Sequence, residues 1–251
     1  MRFGSPHHRY RLLDSTNLRA RELAIEGAPD GTIVTASEQS AGRGRQGRQW
    51  SAPPGKALLY SAIARGLGLG DALLPLAVPL AVCEACEALA AVQCSIKWPN
   101  DIWIEERKLA GVLIEARPPA WAVVGIGINL SIAPEEFPLD LRRPAVSLGA
   151  EVAIDDLREA LNDRLGVWLD AGDHQVLAEF HRRDALRDRT ISWTDGSDPD
   201  PPDLTAIERS SADPPTGIAR GVDSSGNLRV ELDGGSMIAL GAGEVHLQLD
   251  R

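Results

Sequence analysis

The chain has 251 residues, room for one large domain or one with a small appendage at roughly 100–200 residues per domain. Its 43% hydrophobic and 25% charged content excludes a disordered or membrane-resident chain, and 36 acidic against 26 basic residues, a net charge of −10, makes a phosphate backbone a poor partner. Three cysteines, at 83, 86 and 94, make no disulfide framework, and MRFGSPHHRYRLL lacks the apolar core of a signal peptide, so the expected place is the cytoplasm, without export or membrane insertion.

In chain order, Asp14-Ser15-Thr16-Asn17 offers N-cap side chains, and the apolar spacing of Leu18, Ala20 and Leu23 predicts a helix over 16–26 that Gly27 closes. GTIVTASEQ reads as a strand, AGRGRQGRQWSAPPGK as a loop and ALLYSAIARG as a second strand. Residues 71–92 read as a buried helix whose start Pro75 and Pro79 restrict. CSIKW, a Pro99-Asn100-Asp101 turn, DIWI and LAGVLIEA form a strand and hairpin series, and WAVVGIGINL adds a buried strand. Helical spacing returns over 155–171 and 174–187. Beyond Arg189, TISWT, TGIARGV, LRVELD, GGSMIAL and EVHLQL predict a small all-β domain, with an Asp- and Pro-rich loop over 195–215. The expected division is 1–187 and 188–251.

The loop string Gly42-Arg43-Gly44-Arg45-Gln46-Gly47 matches the dinucleotide pattern in letters only. No helix opens at its glycines; Trp50 and Pro53-Pro54 follow instead. What remains is three glycines among Arg43, Arg45 and Arg48, a supple cationic loop suited to polyanionic oxygens or else a solvated turn. Ordering about ten such residues costs on the order of 10 kcal/mol, which predicts a loop that closes around a phosphate-bearing ligand.

Only three basic residues are lysine, at 56, 97 and 108. Lys97-Trp98-Pro99-Asn100-Asp101 gathers a cation, an aromatic plane, an amide and a carboxylate at a strand end, where sites are commonly built; the alternative is a turn that bonds its own backbone. Lys108 has an anchored stem and a reaching ammonium. Gly125, Gly127 and Asn129 share one face of a strand opposite Val124, Ile126 and Ile128, bare backbone for a flat ligand or for close helix packing. Cys83 and Cys86, inside an apolar helix, read as core, and the five histidines show no metal spacing.

Taken together, DSTN at 14–17, SEQSAGRGRQGRQW at 37–50, KWPNDIW at 97–103, RKLAGVLIE at 107–115 and GIGINL at 125–130, in this order, closely resemble the biotin protein ligase family, and GIARGVDSSGNLRV at 217–230 resembles its small C-terminal domain. The resemblance implies an α/β (α+β) fold, a mixed-sheet catalytic domain of the biotin/lipoyl ligase type followed by a C-terminal SH3-like β-barrel. It implies biotin as substrate with ATP and Mg2+, and a biotin carboxyl carrier domain as protein acceptor, and it is compatible with a homodimer. Ser15, Thr16, Asn17, Gln39, Gly42, Arg43, Gly44, Arg45, Lys108, Gly111, Gly125 and Gly127 would bind biotin. Arg43, Arg45, Arg48, Trp50, Lys97, Asn100 and Asn129 would bind ATP. Lys108, Arg45 and Asp101 would be catalytic, with Asp101 either orienting the acceptor lysine or ligating the metal. Some family members carry an N-terminal DNA-binding segment; only 13 residues precede Asp14, so no DNA partner is expected. A lipoyl ligase and a non-catalytic biotin sensor are the rival readings.

Overall fold

The structure, a computed structural model, describes residues 2–66, 72–117, 120–138, 141, 144–194, 214–241 and 244–247. Apart from residues 214 and 215, the Asp- and Pro-rich loop lies outside the described residues. The chain divides into two compact units, Met1–Ala185 and Leu186–Arg251.

The first unit is built on a seven-stranded mixed sheet of β1 (His7–Leu13), β2 (Ile33–Gln39), β3 (Ala57–Ala64), β4 (Ser95–Lys97), β5 (Asp101–Ile104), β6 (Arg107–Arg117) and β7 (Trp121–Asn129), in the order β1-β2-β3-β7-β6-β5-β4. β1 pairs in parallel with β2; the other neighbours are antiparallel. Sequence reasoning missed β1. HHRYRLL is largely polar and part-exposed because an edge strand serves one neighbour only, and such a strand has little apolar alternation to read. β3 is buried at every residue, since both its faces are covered, and accordingly reads as a continuous apolar run. Glu105 and Glu106, both at positive φ (48° and 62°), make the tight turn between β5 and β6 without the glycine or asparagine such turns favour.

Helix α1 (Thr16–Ile25) lies on one face, where Ala20, Leu23 and Ala24 pack with Val34, Ile63 and Val123. Helices α2 (Leu74–Glu87) and α3 (Ile154–Leu169) cover the other; there the Tyr60 hydroxyl donates to Asn162 Oδ1 at 2.8 Å. Pro75 stands in the first turn of α2, where a missing N–H costs nothing, and Pro79 lies inside a helix buried nearly throughout. Cys83, Cys86 and Cys94 are free, buried thiols in this core. Helix α4 (Asp173–Arg183) ends four residues before the expected 187, because Asp184 turns extended (ψ 108°) and forms a bridge to Ile96.

The second unit is a five-stranded antiparallel sheet of β8 (Thr190–Thr194), β9 (Thr216–Val222), β10 (Leu228–Glu231), β11 (Met237–Leu240) and β12 (Glu244–Leu247), in the order β11-β10-β9-β8-β12. Ile191, Ala219, Leu228, Val230 and Val245 are buried within it. Asp223 Oδ1 accepts the N–H groups of Ser225 (2.8 Å) and Asn227 (2.9 Å), which closes the DSSGN turn. No helix among the described residues is long and apolar enough to cross a membrane.

Candidate active site

The α1 face of the sheet carries a patch of small residues. Gly125 faces Ser61 on β3 and Leu113 on β6, and Gly127 faces Leu59 and Gly111. A Cβ at 125 would lie 1.9 Å from Asn17 Oδ1 and one at 127 only 2.4 Å from Trp50 Cε2. Gly125 thus lets α1 approach, as the close-packing reading expects, while at Gly127 the flat group against the bare backbone is a side chain of the protein itself, the Trp50 ring. Ile126 and Ile128 are buried on the opposite side.

The start of α1 departs from an ordinary cap. Ser15 is extended at the N-cap position, as expected, but its side chain makes no capping bond, and Asp14 Oδ1 accepts the Ser15 N–H at 2.6 Å. Gln39 Oε1, at the end of β2, instead takes the Thr16 N–H at 2.7 Å and its hydroxyl at 3.1 Å. Ser61 Oγ lies 2.8 Å from Thr16 Oγ1 and 2.6 Å from Asn17 Oδ1. Asn17 Nδ2 donates to Leu113 O (3.3 Å) and Glu115 Oε2 (3.1 Å). Ser15, Thr16, Asn17 and Ser61 are all buried, so this polar cluster is held away from water next to the glycine patch. Ser61 and Glu115 escaped the sequence reading; the signal was a polar residue within each of two apolar runs, ALLYSAIA and LAGVLIEA.

Loop 41–56 carries hydrogen bonds of its own. Arg43 bridges to Gln49, Gly44 N donates to Arg48 O at 2.7 Å, and Trp50 N donates to Gly42 O at 2.9 Å. Gly42 is required there, since a Cβ would meet Trp50 O at 2.3 Å and Gln39 Nε2 at 2.7 Å. The cations divide. Arg43 pairs with Glu115 Oε1 at 3.2 Å, and Arg45 donates to Asn100 Oδ1 at 3.4 Å. Burial pulls the Arg45 guanidinium below its ordinary value while Asp101 pulls it back up. Gly44 and Arg48 stand at the turn of the loop, with Arg48 exposed.

Lys108 Nζ lies 2.7 Å from Asp101 Oδ1 and 5.7 Å from the Trp50 ring centroid. Asp101 and Gly111 are cross-strand partners, and Asn100 Nδ2 donates to Val112 O at 3.0 Å, which fixes the turn against β6. Trp50 Nε1 is buried without a hydrogen-bond partner among the described residues. The Lys97 ammonium sits 6.0 Å over the Trp103 ring, and Asn129 Nδ2 donates to Lys108 O (3.3 Å) and Val146 O (3.1 Å), so Asn129 holds the backbone that carries Lys108.

Two ends result. One is a polar pocket of Ser15, Thr16, Asn17 and Gln39 by Gly42 and Gly125; the other joins Trp50, Gly111 and Gly127 to Lys108, Asp101, Asn100 and Arg45. Two cations beside an aromatic plane suit a step that brings anions together, where charge-assisted donors offset repulsion. Among the described residues no group of three or more His, Cys, Asp or Glu side chains is placed to hold a metal ion.

The sequence profile described as the biotin/lipoate A/B protein ligase family matches residues 10–131, and that of the biotin protein ligase C terminal domain matches residues 207–247. The biotin--[acetyl-CoA-carboxylase] ligase of Mycobacterium tuberculosis is 32% identical over 247 residues, covering 93% of this chain and 86% of that protein. The bifunctional ligase/repressor BirA of Bacillus subtilis is 40% identical over 143 residues, 55% of this chain and 44% of its own length. Among solved structures, biotin protein ligase from Aquifex aeolicus in complex with biotin and ATP superposes with a TM-score of 0.78 at 22% identity, over 98% of this chain and 100% of that one. The enzyme from Leishmania major in complex with biotinyl-5-AMP gives 0.64 at 26% identity, over 95% and 100%.

Proposed function

Because this chain belongs to the biotin protein ligase family, we propose that it activates biotin with ATP as biotinyl-5′-AMP and transfers the biotinyl group to a lysine of a biotin carboxyl carrier domain in the cytoplasm. The observation that carries the reading is the juxtaposition of Lys108, Arg45 and Trp50 with a buried polar pocket that begins on the same glycine patch.

The polar pocket offers an amide from Gln39, hydroxyls from Ser15 and Thr16, and an amide from Asn17, a set able to both donate to and accept from a ureido ring. The biotin tail would then run along the Trp50 ring, which packs on Gly127 and Gly111, toward Lys108. In the first step a biotin carboxylate oxygen attacks the α-phosphorus of ATP and pyrophosphate leaves; Lys108 and Arg45 offset the charge that gathers between the two anions. Arg43 and Arg48 would keep the loop over the phosphates. Magnesium is expected to arrive with the nucleotide, held mainly by its phosphates. The donor set does not make a resident metal centre: the carboxylate nearest the site, Asp101, already faces an ammonium at 2.7 Å.

Once the ligand anions engage Lys108, Asp101 is released to accept from the incoming carrier lysine and to orient or deprotonate it. Asp101→Asn should therefore slow transfer from preformed biotinyl-AMP more than it slows adenylate formation, measured as two separate half-reactions; equal slowing of both contradicts the assignment. Gly127→Ala should raise the KM for biotin about tenfold, since the new methyl must displace the Trp50 ring and overpacking costs about 1–3 kcal/mol. A parental KM in that variant would show that the indole does not wall the pocket.

Release of pyrophosphate from ATP tests the reading against its nearest rival. Biotin alone should stimulate it. Stimulation by lipoate instead, or retained biotin binding with no release, contradicts the proposal.

A further inference from the structure

The N-terminal end of the loop is tied into a chain of hydrogen bonds that closes into a ring through the backbone. It runs Gln39, Thr16, Ser61, Asn17, Glu115, Arg43, and returns along the chain from Arg43 to Gln39. Glu115 is the member that closes it. One carboxylate oxygen accepts from Asn17 Nδ2 at 3.1 Å and the other from Arg43 Nη1 at 3.2 Å.

A carboxylate only accepts, so its partner amide must donate. Together with Leu113 O, which accepts from the same nitrogen at 3.3 Å, that sets Asn17 with Nδ2 toward Glu115 and Oδ1 toward Ser61, and the Ser61 proton goes to Oδ1 across 2.6 Å. The Thr16 hydroxyl is then left to donate, with Ser61 Oγ and Gln39 Oε1 both in reach, at 2.8 and 3.1 Å. Gln39 Oε1 is occupied by the Thr16 N–H, which leaves Gln39 Nε2 as a donor toward a ligand carbonyl. The directions of the Asn17 and Ser61 protons thus agree with an anion near the C-terminal end of β6, and that anion also holds a loop arginine. Glu115 is partly shielded, its side chain 24% exposed, and Arg43 is 45% exposed, so the Arg43 arm is weaker and more easily opened than the Asn17 arm.

We propose that Glu115 is a positioning residue that orders the donors and acceptors of the ring-binding pocket through Asn17 and, through Arg43, couples that pocket to closure of loop 41–56. The inference deepens the biotin ligase reading and rests on it. Glu115 touches no reacting atom; its effect passes through Asn17 and Arg43.

Two readouts test it. In Glu115→Ala the KM for biotin should rise about tenfold or more, the scale of one lost charge-assisted hydrogen bond, with the loss falling on KM rather than on kcat. Trypsin should cut the ligand-free chain at Arg43, Arg45 or Arg48 several-fold faster than the parental chain. Glu115→Gln can still accept from Asn17 but lacks the charge that holds Arg43, so its loop should be cut faster while its KM for biotin moves less. That variant decides the matter should the alanine form fail to fold. Parental KM and parental cutting in either variant overturn the inference, as does a loss confined to kcat. Biotin-dependent pyrophosphate release by the parental chain is the control: its absence overturns the functional reading alone, since the loop-cutting comparison needs no ligand.

Discussion

Lys108→Ala is expected to slow biotinyl-AMP formation roughly 10²–10³-fold, the cost of removing one donor from the place where charge develops. The ammonium has no substitute at its position. It is carried by the second residue of β6, whose backbone is pinned on both sides: Lys108 N donates to Pro144 O at 2.9 Å and Asn129 holds Lys108 O at 3.3 Å. Its stem and ammonium press on Gly111, where a Cβ would stand 3.4 Å from Nζ, and the ammonium sits 5.7 Å from the Trp50 ring centroid. The deletion also strands Asp101 next to the incoming carboxylate, so the variant adds a repulsion to the lost attraction. Lys108→Arg should restore little, because a planar fork cannot occupy the place of a point charge between Trp50 and Asp101. The measurement is single-turnover adenylate formation at saturating biotin and ATP; the parental rate in Lys108→Ala would remove the residue from the chemistry.

Arg183→Met should cost the first unit about 3–5 kcal/mol of stability, the usual result of stripping one partner from a buried ion pair. The Arg183 side chain is 7% exposed. It donates to both oxygens of Glu87 (2.7 and 2.9 Å), to Glu179 (2.7 Å) and to Cys94 O (3.3 Å), and so ties the last turn of α4 to the end of α2 and the approach to β4. Methionine fills the space but leaves two carboxylates facing each other. At roughly 2–4 °C per kcal/mol for a unit of this size, the melting temperature should fall by about 6–20 °C.

The pH dependence has a defined sign. Burial alone would raise the Glu87 pKa, but the Arg183 hydrogen bond and the Cys94 N–H hold it below its ordinary value. A depressed carboxylate contributes stability above its unfolded pKa and loses it as pH falls through the folded one. The gap between parental and Arg183→Met chains should therefore be full near neutrality and shrink on acidification through the carboxylate range. A gap that is flat or widens toward acid contradicts the network.

The elements that bury apolar faces were legible in the sequence because their period survives folding: α1 and α3 by helical spacing, β3 and β7 by unbroken apolar runs. β1 was not, since an exposed edge strand is defined by its pairing with β2 and not by its own pattern. The helix end at Arg183 was missed for a similar reason. Its cause is the bridge from Asp184 to Ile96, a contact 88 positions away in the chain.

In the site, residue types in GRGRQGRQW, KWPND and RKLAG announced cations, a flat ring and tight backbone, and the structure gathers Arg45, Trp50, Asp101 and Lys108. What composition could not convey was division of labour. Lys97 and Asn129 read as ligand contacts; in the structure the Lys97 ammonium also lies over the Trp103 ring and the Asn129 amide also holds the Lys108 backbone. Glu115 and Ser61 matter only through sheet register, which places them on the α1 face in reach of Asn17.

The most direct measurement supplies the chain with ATP, labelled biotin and a biotin carboxyl carrier domain, followed by denaturing separation of the products. Label should stay covalently on the carrier, require ATP, and disappear when the carrier's acceptor lysine is replaced. Label that never leaves the small-molecule fraction, or that reaches the carrier without ATP, would contradict the account.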